Sequence, residues 1–337
     1  QQFSLPAGVY LVQSKHRISY APSVACTNSA GGGSQVLLVL APGDAVSCTF
    51  TAVERTTGLM LYKTVGLAPD RCGISDIIGV PAGTSVYYCY TILNTGETPL
   101  SLHSLADSEA GPVLADLDYV VQPGAKVDTV MLGRVLSETV AATTVSSGVW
   151  TASNREGPEA RDEATASVNV LRAAIDGVLT VSEEGIGCGS QNIIKVVKGS
   201  KVNYCVTLLN SGEAPLSTHQ IIIPALGIVE KVDYLLAPGA FVKLTATEIP
   251  ALGGVTIDDE QLQTLIVHST NPPADPLVEP IDPLKYLVAP DLFKAESHAQ
   301  ATVLVRSDVV EPAPPSSIKS HATQRVRGGA GAGLHDD

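Results

Sequence analysis

The sequence predicts an all-β chain of tandem immunoglobulin-like β-sandwiches with local disulfides, and three observations predict it. The first is the stretch from Pro81 to Glu97. Pro81 and Gly83 supply one turn, Asn94 and Gly96 a second. Between them Val86, Tyr88, Tyr90 and Ile92 alternate with Tyr87, Cys89, Thr91 and Leu93, the period-two pattern of a strand. The second is its return from Gly199 to Glu213, with Asn210 standing 116 positions after Asn94 and Cys188 the same distance after Cys72. The third is the absence of any amphipathic helical period among seven short apolar runs separated by turns, the pattern of a seven-stranded sandwich.

Composition bounds the rest. A chain of 337 residues predicts two or three domains. Its 45% hydrophobic content suffices for ordinary cores, while its 16% charged content is well under the usual share of about a quarter. A net charge of −13 argues against nucleic acid, which needs clustered Lys and Arg. No run reaches the roughly 18 apolar residues of a membrane span. The chain opens on Gln1-Gln2 without an initiator Met, which predicts a secreted, extracellular or cell-surface protein after signal-peptide removal.

Six cysteines are present: Cys26, Cys48, Cys72, Cys89, Cys188 and Cys205. Cys72 and Cys89 stand 17 apart, as do Cys188 and Cys205, so each repeat is expected to close its own bridge, with Cys26–Cys48 the third. Zinc is the rival, but no CxxC spacing occurs and no His sits nearby in sequence.

In chain order, residues 1–57 read as an incomplete N-terminal β unit of about three strands. Gly8 to Tyr20 holds one strand or two, with further apolar runs at Gln35–Leu40 and Val46–Val53. The first full repeat spans 58–174, with strands predicted at Leu59–Val65, Ser85–Leu93, Leu100–Leu105, Val113–Val121, Lys126–Leu132, Thr139–Ser153 and Ala164–Leu171. Trp150, the one tryptophan, falls in the sixth and is expected in the core. The second repeat spans 175–306 and ends on a strand at Ala299–Val305. It carries a proline-rich insertion from Asn271 to Pro290, a stiff loop where a glycan or surface partner is expected. Residues 307–337 read as an extended tail.

Lys63-Thr64-Val65, then a Cys, then Pro81 through Gly96, then Val149-Trp150-Thr151-Ala152 resemble the bacterial and prokaryotic "conserved repeat domain", a family of immunoglobulin-like surface-protein repeats. The resemblance covers about 58–306. It implies a role in cell-surface, matrix or filament structure and is silent on activity. Some surface immunoglobulin-like domains join a Lys to an Asn by an isopeptide bond between first and last strands. The resemblance therefore makes Lys63 and Asn154 a candidate pair, assisted by a buried acid such as Asp107 or Asp118. The second repeat departs from the pattern, with Leu179 for Lys63 and Val267 or a neighbour for Trp150.

No HExxH, GxSxG, Walker or dinucleotide motif appears, so no catalytic residue and no cofactor are assigned. His103 and His219 recur at equivalent places, which favours a structural role. Asp258, Asp259 and Glu260, and Asp275, Glu279 and Asp282, are weak cation candidates. The function expected is a non-enzymatic structural subunit of an extracellular filament or surface layer. It would bind copies of itself head to tail by β-strand addition, through Phe3–Val12 or Ser316–Val326. A monomeric adhesin or carbohydrate-binding stalk is the alternative.

Overall fold

The computed structural model describes residues 2–15, 17–27, 29, 32–271, 287–288 and 292–306. The N-terminal unit holds four strands rather than three: β1 (Gly8–Gln13), β2 (Tyr20–Cys26), β3 (Gln35–Leu40) and β4 (Cys48–Glu54). β1 pairs β3 and β2 pairs β4, both antiparallel. The two ribbons enclose Val24, Cys26, Val36 and Leu38, with Tyr10 and Val12 packed alongside. Cys26 and Cys48 sit directly opposite in register and are disulfide-bonded. β2 was illegible in the sequence because Pro22 interrupts it. Proline is tolerated where one side of a strand faces no partner, and among the described residues β2 pairs on one side only.

The first sandwich has nine strands where seven were expected. One sheet centres on β7 (Thr84–Asn94). β5 (Leu59–Gly66) lies on one side of it, and β10 (Lys126–Asp128) and β11 (Leu136–Val140) follow each other on the other side. The second sheet runs β6 (Ile77–Val80), β13 (Ala160–Val170), β12 (Thr144–Ser153), β8 (Leu100–Asp107) and β9 (Gly111–Val121). The strand expected at Thr139–Ser153 is two strands, because the chain changes sheets there: β11 pairs β7, whereas β12 pairs β8 and β13. β6 was missed; it is four residues long and finds its partner, β13, in parallel across a long sequence separation. Alternate residues of β7, among them Val86, Tyr88, Tyr90 and Ile92, enter a core that also holds Leu105 and Trp150.

The second sandwich repeats this plan. β16 (Ser200–Asn210) stands between β14 (Ile175–Glu183) on one side and β19 (Phe241–Leu244) and β20 (Val255–Ile257) on the other. Its second sheet runs β15 (Ile193–Val197), β23 (Lys294–Arg306), β21 (Gln261–Thr270), β17 (Leu216–Ile223) and β18 (Ile228–Leu236). The final strand starts five residues earlier than the Ala299–Val305 expected, because it pairs the whole of β21, from Gln261↔Val303 to Thr270↔Lys294. The remaining strand, β22 (Leu287–Val288), comes from the insertion. The chain is therefore all-β, built of tandem immunoglobulin-like sandwiches with three local disulfides.

The repeated turn after β7 and β16 has a specific task. Asn94 Nδ2 donates to Thr98 O (2.8 Å) and Val121 O (2.9 Å), while its Oδ1 accepts from Gly96 N (3.0 Å). Asn210 does the same with Ala214, Leu236 and Gly212. The glutamate that follows grips the linker ahead of its own sandwich. Glu97 N donates to Thr56 O (2.8 Å) and its carboxylate accepts from Thr56 N (3.0 Å). Glu213 repeats both bonds with Arg172, at 2.7 and 3.0 Å. Glycine is required between them. A Cβ on Gly212 would lie 2.4 Å from Ala174 N, and one on Gly96 2.7 Å from Gly58 N. The Asn-x-Gly-Glu signature thus clamps the entry peptide of each sandwich to its central strand.

Core volume is conserved by exchange between the repeats. Tyr90 in β7 meets Gly148 in β12, where a Cβ would stand 2.4 Å from the Tyr90 ring. The matching positions in β16 and β21 are Val206 and Leu265, both buried. A large residue on one sheet and a small one on the other have traded places, which keeps packing density.

Candidate assembly edge and buried polar centre

Sheet edges are where this chain leaves unsatisfied backbone groups. β6 forms an edge of the first sandwich, and β22, from the insertion in the second repeat, lies parallel beside it, pairing Leu287↔Ile78 and Val288↔Gly79. The equivalent edge of the second sandwich is β15, which among the described residues pairs only β23. Thr302 N donates to Asn192 O at 2.7 Å, just as Ser167 N donates to Asp76 O at 2.7 Å in the first sandwich. In a parallel ladder this alternation turns the N–H and C=O groups of Ile193, Lys195 and Val197 outward.

The N-terminal unit is the other open region. Among the described residues β1 pairs only β3, on one of its two edges. The cross-strand pairs Val9↔Val39 and Leu11↔Leu37 put four aliphatic side chains on one face, each between 59% and 71% exposed. Of the two donor segments expected, Phe3–Val12 thus contributes to a ribbon within its own unit. Ser316–Val326 lies outside the described residues, as do the tail from 307 and all of the 271–290 insertion except Asn271 and β22.

Lys63 lies in the first sandwich, its side chain 0% exposed against an Asp107 side chain 1% exposed. Lys63 Nζ donates to Asp107 Oδ2 at 2.6 Å and to the Ser146 hydroxyl. Tyr90 OH donates to the same Oδ2 at 2.6 Å. Asp107 Oδ1 accepts from the backbone N–H groups of Glu109 (2.9 Å) and Ala110 (3.0 Å). The ammonium also lies 4.8 Å from the Tyr88 ring centroid and 5.2 Å from that of Tyr90. Burial pulls the Lys63 amine below the usual lysine range against the opposing pull of Asp107.

Asn154 is not part of this centre, which corrects the Lys63–Asn154 pairing. Its Nδ2 faces Ser19 Oγ at 3.4 Å, and its Oδ1 accepts from Glu156 N and Gly157 N. Lys63 touches Ser146, eight residues earlier in the chain, or about 26 Å of extended strand. Asp118 is not the buried acid either; it is exposed and paired with Arg155. Sequence reasoning missed Ser146 and Tyr90. The signal available was the pattern of exchange, since the second repeat has Leu179, Ile223, Val206 and Gln263 where the first has Lys63, Asp107, Tyr90 and Ser146.

The two recurring histidines are structural. His103 Nε2 bonds Tyr119 O at 2.8 Å, and Trp150 Nε1 donates to its Nδ1 at 3.2 Å. His219 Nε2 bonds Tyr234 O at 2.9 Å, and its Nδ1 faces Ser269 Oγ at 2.8 Å. A carbonyl on Nε2 and a donor on Nδ1 fix the neutral tautomer, and burial holds both rings below the usual histidine range. The unfolded chain takes up these protons near pH 6.5, so stability is complete above that pH and is lost as pH falls through the lower folded-state values. Calorimetry from pH 8 to 5 is expected to show a level melting temperature that declines below about pH 6.5. A profile that stays level throughout contradicts this.

The cysteines are placed as three bonded pairs: Cys26–Cys48, Cys72–Cys89 and Cys188–Cys205. Cys72, Cys89 and Asp128 converge as a metal site would, but both sulfurs are committed to the disulfide. Asp258, Asp259 and Glu260 lie in an exposed stretch and form no such cluster, while Asp275, Glu279 and Asp282 lie outside the described residues. Trp150 is fully buried. No helix among the described residues is long and apolar enough to cross a membrane.

No protein-family model matches the chain, and no curated protein does. Solved structures do resemble it at low identity. One is a bacterial ice-binding adhesin of 1.5 MDa, at 10% identity and TM-score 0.35, covering 74% of this chain and 66% of the other. Another is a Ca2+-stabilized adhesin with which an Antarctic bacterium binds ice, at 13% identity and TM-score 0.32, covering 89% and 69%. A third is the major pilin subunit of Bacillus cereus, at 8% identity and TM-score 0.23, covering 80% and 93%. The chain spans just under two thirds of the first adhesin's solved length.

Proposed function

We propose that this chain is a non-enzymatic structural subunit of an extracellular filament or surface layer, joined to copies of itself head to tail by β-strand addition. The observation that carries the reading is the contrast between two equivalent edges. β6 of the first sandwich is completed by an added parallel strand, β22, whereas β15 of the second has no added strand among the described residues. At the other end of the chain, β1 offers a six-residue edge against the five residues of β15. An N-terminal edge meeting a C-terminal edge is a heterologous contact that does not close on itself, and it generates a fibre. Three disulfides suit an oxidising, extracellular setting. No step in this role asks for catalysis.

Lys195→Pro tests the joint. Proline removes an outward N–H from β15 while leaving the bonds to β23, which use the even-numbered positions. In sedimentation velocity the native chain is expected to form concentration-dependent assemblies, and the variant to remain a monomer with a near-native melting temperature. Assembly of the variant equal to that of the native chain would rule out β15 as the joint.

A further inference from the structure

We propose that Lys63 and Asp107 are joined by an intramolecular amide bond between Nζ and Cγ, formed with loss of one water. The two groups are held in contact in a site closed to solvent, with Nζ 2.6 Å from Oδ2 and side chains 0% and 1% exposed. Proximity of this kind replaces a bimolecular encounter by an internal one.

The surroundings supply what the condensation needs. One ammonium proton passes from Nζ to Oδ2, giving a neutral amine and a neutral carboxyl. Burial pushes both groups toward these neutral forms, and at Asp107 it works against the hydrogen bonds from Lys63, Tyr90, Ala110 and Glu109, which hold the carboxyl below the usual carboxylate range. The amine lone pair then attacks Cγ, and the carbonyl electrons move onto Oδ1. That oxygen already accepts from Glu109 N at 2.9 Å and Ala110 N at 3.0 Å, two fixed donors aimed where negative charge develops. Oδ2 is the leaving oxygen, and Tyr90 OH donates to it at 2.6 Å. The Ser146 hydroxyl, in contact with Nζ, takes the second amine proton and returns its own through the cluster to Oδ2. Oδ2 departs as water, and the carbonyl re-forms as the C–N bond is completed. The balance is one ammonium and one carboxylate in, one amide and one water out, with no oxidant or co-reactant.

Burial supports the same step by holding the Lys63 amine below the usual lysine range, towards its nucleophilic neutral form. The bond would have a structural consequence. β5 belongs to one sheet of the first sandwich and β8 to the other, so an amide between Lys63 and Asp107 staples the two sheets across the core. The second sandwich has Leu179 and Ile223 at these places, both buried in its core.

Intact mass spectrometry of the denatured, non-reduced full chain is the test. The native chain is expected to weigh less than its sequence by the six hydrogens of three disulfides and by one water, about 18 Da. After reduction, trypsin should fail to cut at Lys63, and residues 56–71 should be recovered joined to residues 72–126 through Lys63 and Asp107. Lys63→Arg should restore the water and the separate peptides. A native chain at the disulfide-only mass, or a water loss mapped outside these two peptides, overturns the proposal. Both readings come from the native chain, so they stand even if a variant fails to fold.

Discussion

Asp107→Ala is expected to lower the stability of the first sandwich by about 3–5 kcal/mol, because it leaves the Lys63 ammonium buried without its partner. Two further losses add to this. Tyr90 OH loses its acceptor, and the N–H groups of Glu109 and Ala110 lose theirs. The second sandwich indicates the repair, since it carries aliphatic residues at these positions. The triple variant Lys63→Leu/Asp107→Ile/Tyr90→Phe removes the charges and the orphaned hydroxyl together. Against native chain whose mass shows Lys63 and Asp107 unjoined, it is expected to recover all but about 1–2 kcal/mol of the single-variant loss, since exchanging a buried ion pair for packed apolar residues is often close to neutral. Calorimetry separates the outcomes. The single variant should move the transition of the first sandwich and leave that of the second in place. Equal losses from the single and triple variants would show that charge burial is not the cause.

Trp150→Ala is expected to cost about 3–5 kcal/mol, the usual range for emptying a large buried aromatic site. The ring is fully buried in β12, edge-on to His103 at 6.0 Å between centroids. The loss has two separable parts, a cavity and an unmet acceptor at His103 Nδ1. In the second sandwich Ser269 serves His219, and the residue in the same register against His103 is Ala152. Adding Ala152→Ser to Trp150→Ala is therefore expected to return about 1 kcal/mol by supplying a hydroxyl to Nδ1. Denaturant unfolding of the two variants measures the difference. No gain from the added serine would show that the cavity accounts for the whole cost.

Much of the fold was legible because β7 and β16 carry their own punctuation: turn residues at both ends, strict alternation between, and a cysteine at a fixed place. What escaped had weak local signals. β6 and β15 are short edge strands whose partners come from distant sequence, and a short apolar run does not reveal a parallel partner. The break between β11 and β12 falls at Ala141-Ala142-Thr143, with neither Gly nor Pro to mark the change of sheet. The polar centre was half legible. Lys63 and Asp107 were both visible as chemistry, but pairing Lys63 with Asn154 assumed that first and last strands meet at that height. The register of β12 instead brings Ser146 to Lys63 and leaves Asn154 beside Ser19. The turn glutamates were visible as repeats, yet their grip on Thr56 and Arg172 depends on a fold-back that sequence spacing does not encode.

The joint at β15 is most directly tested by imaging the native chain and Lys195→Pro side by side in negative stain, at concentrations where the native chain sediments as an assembly. Strand addition at this edge predicts unbranched filaments or ordered layers from the native chain and isolated particles from the variant. Isolated particles from both, or filaments from both, would contradict it.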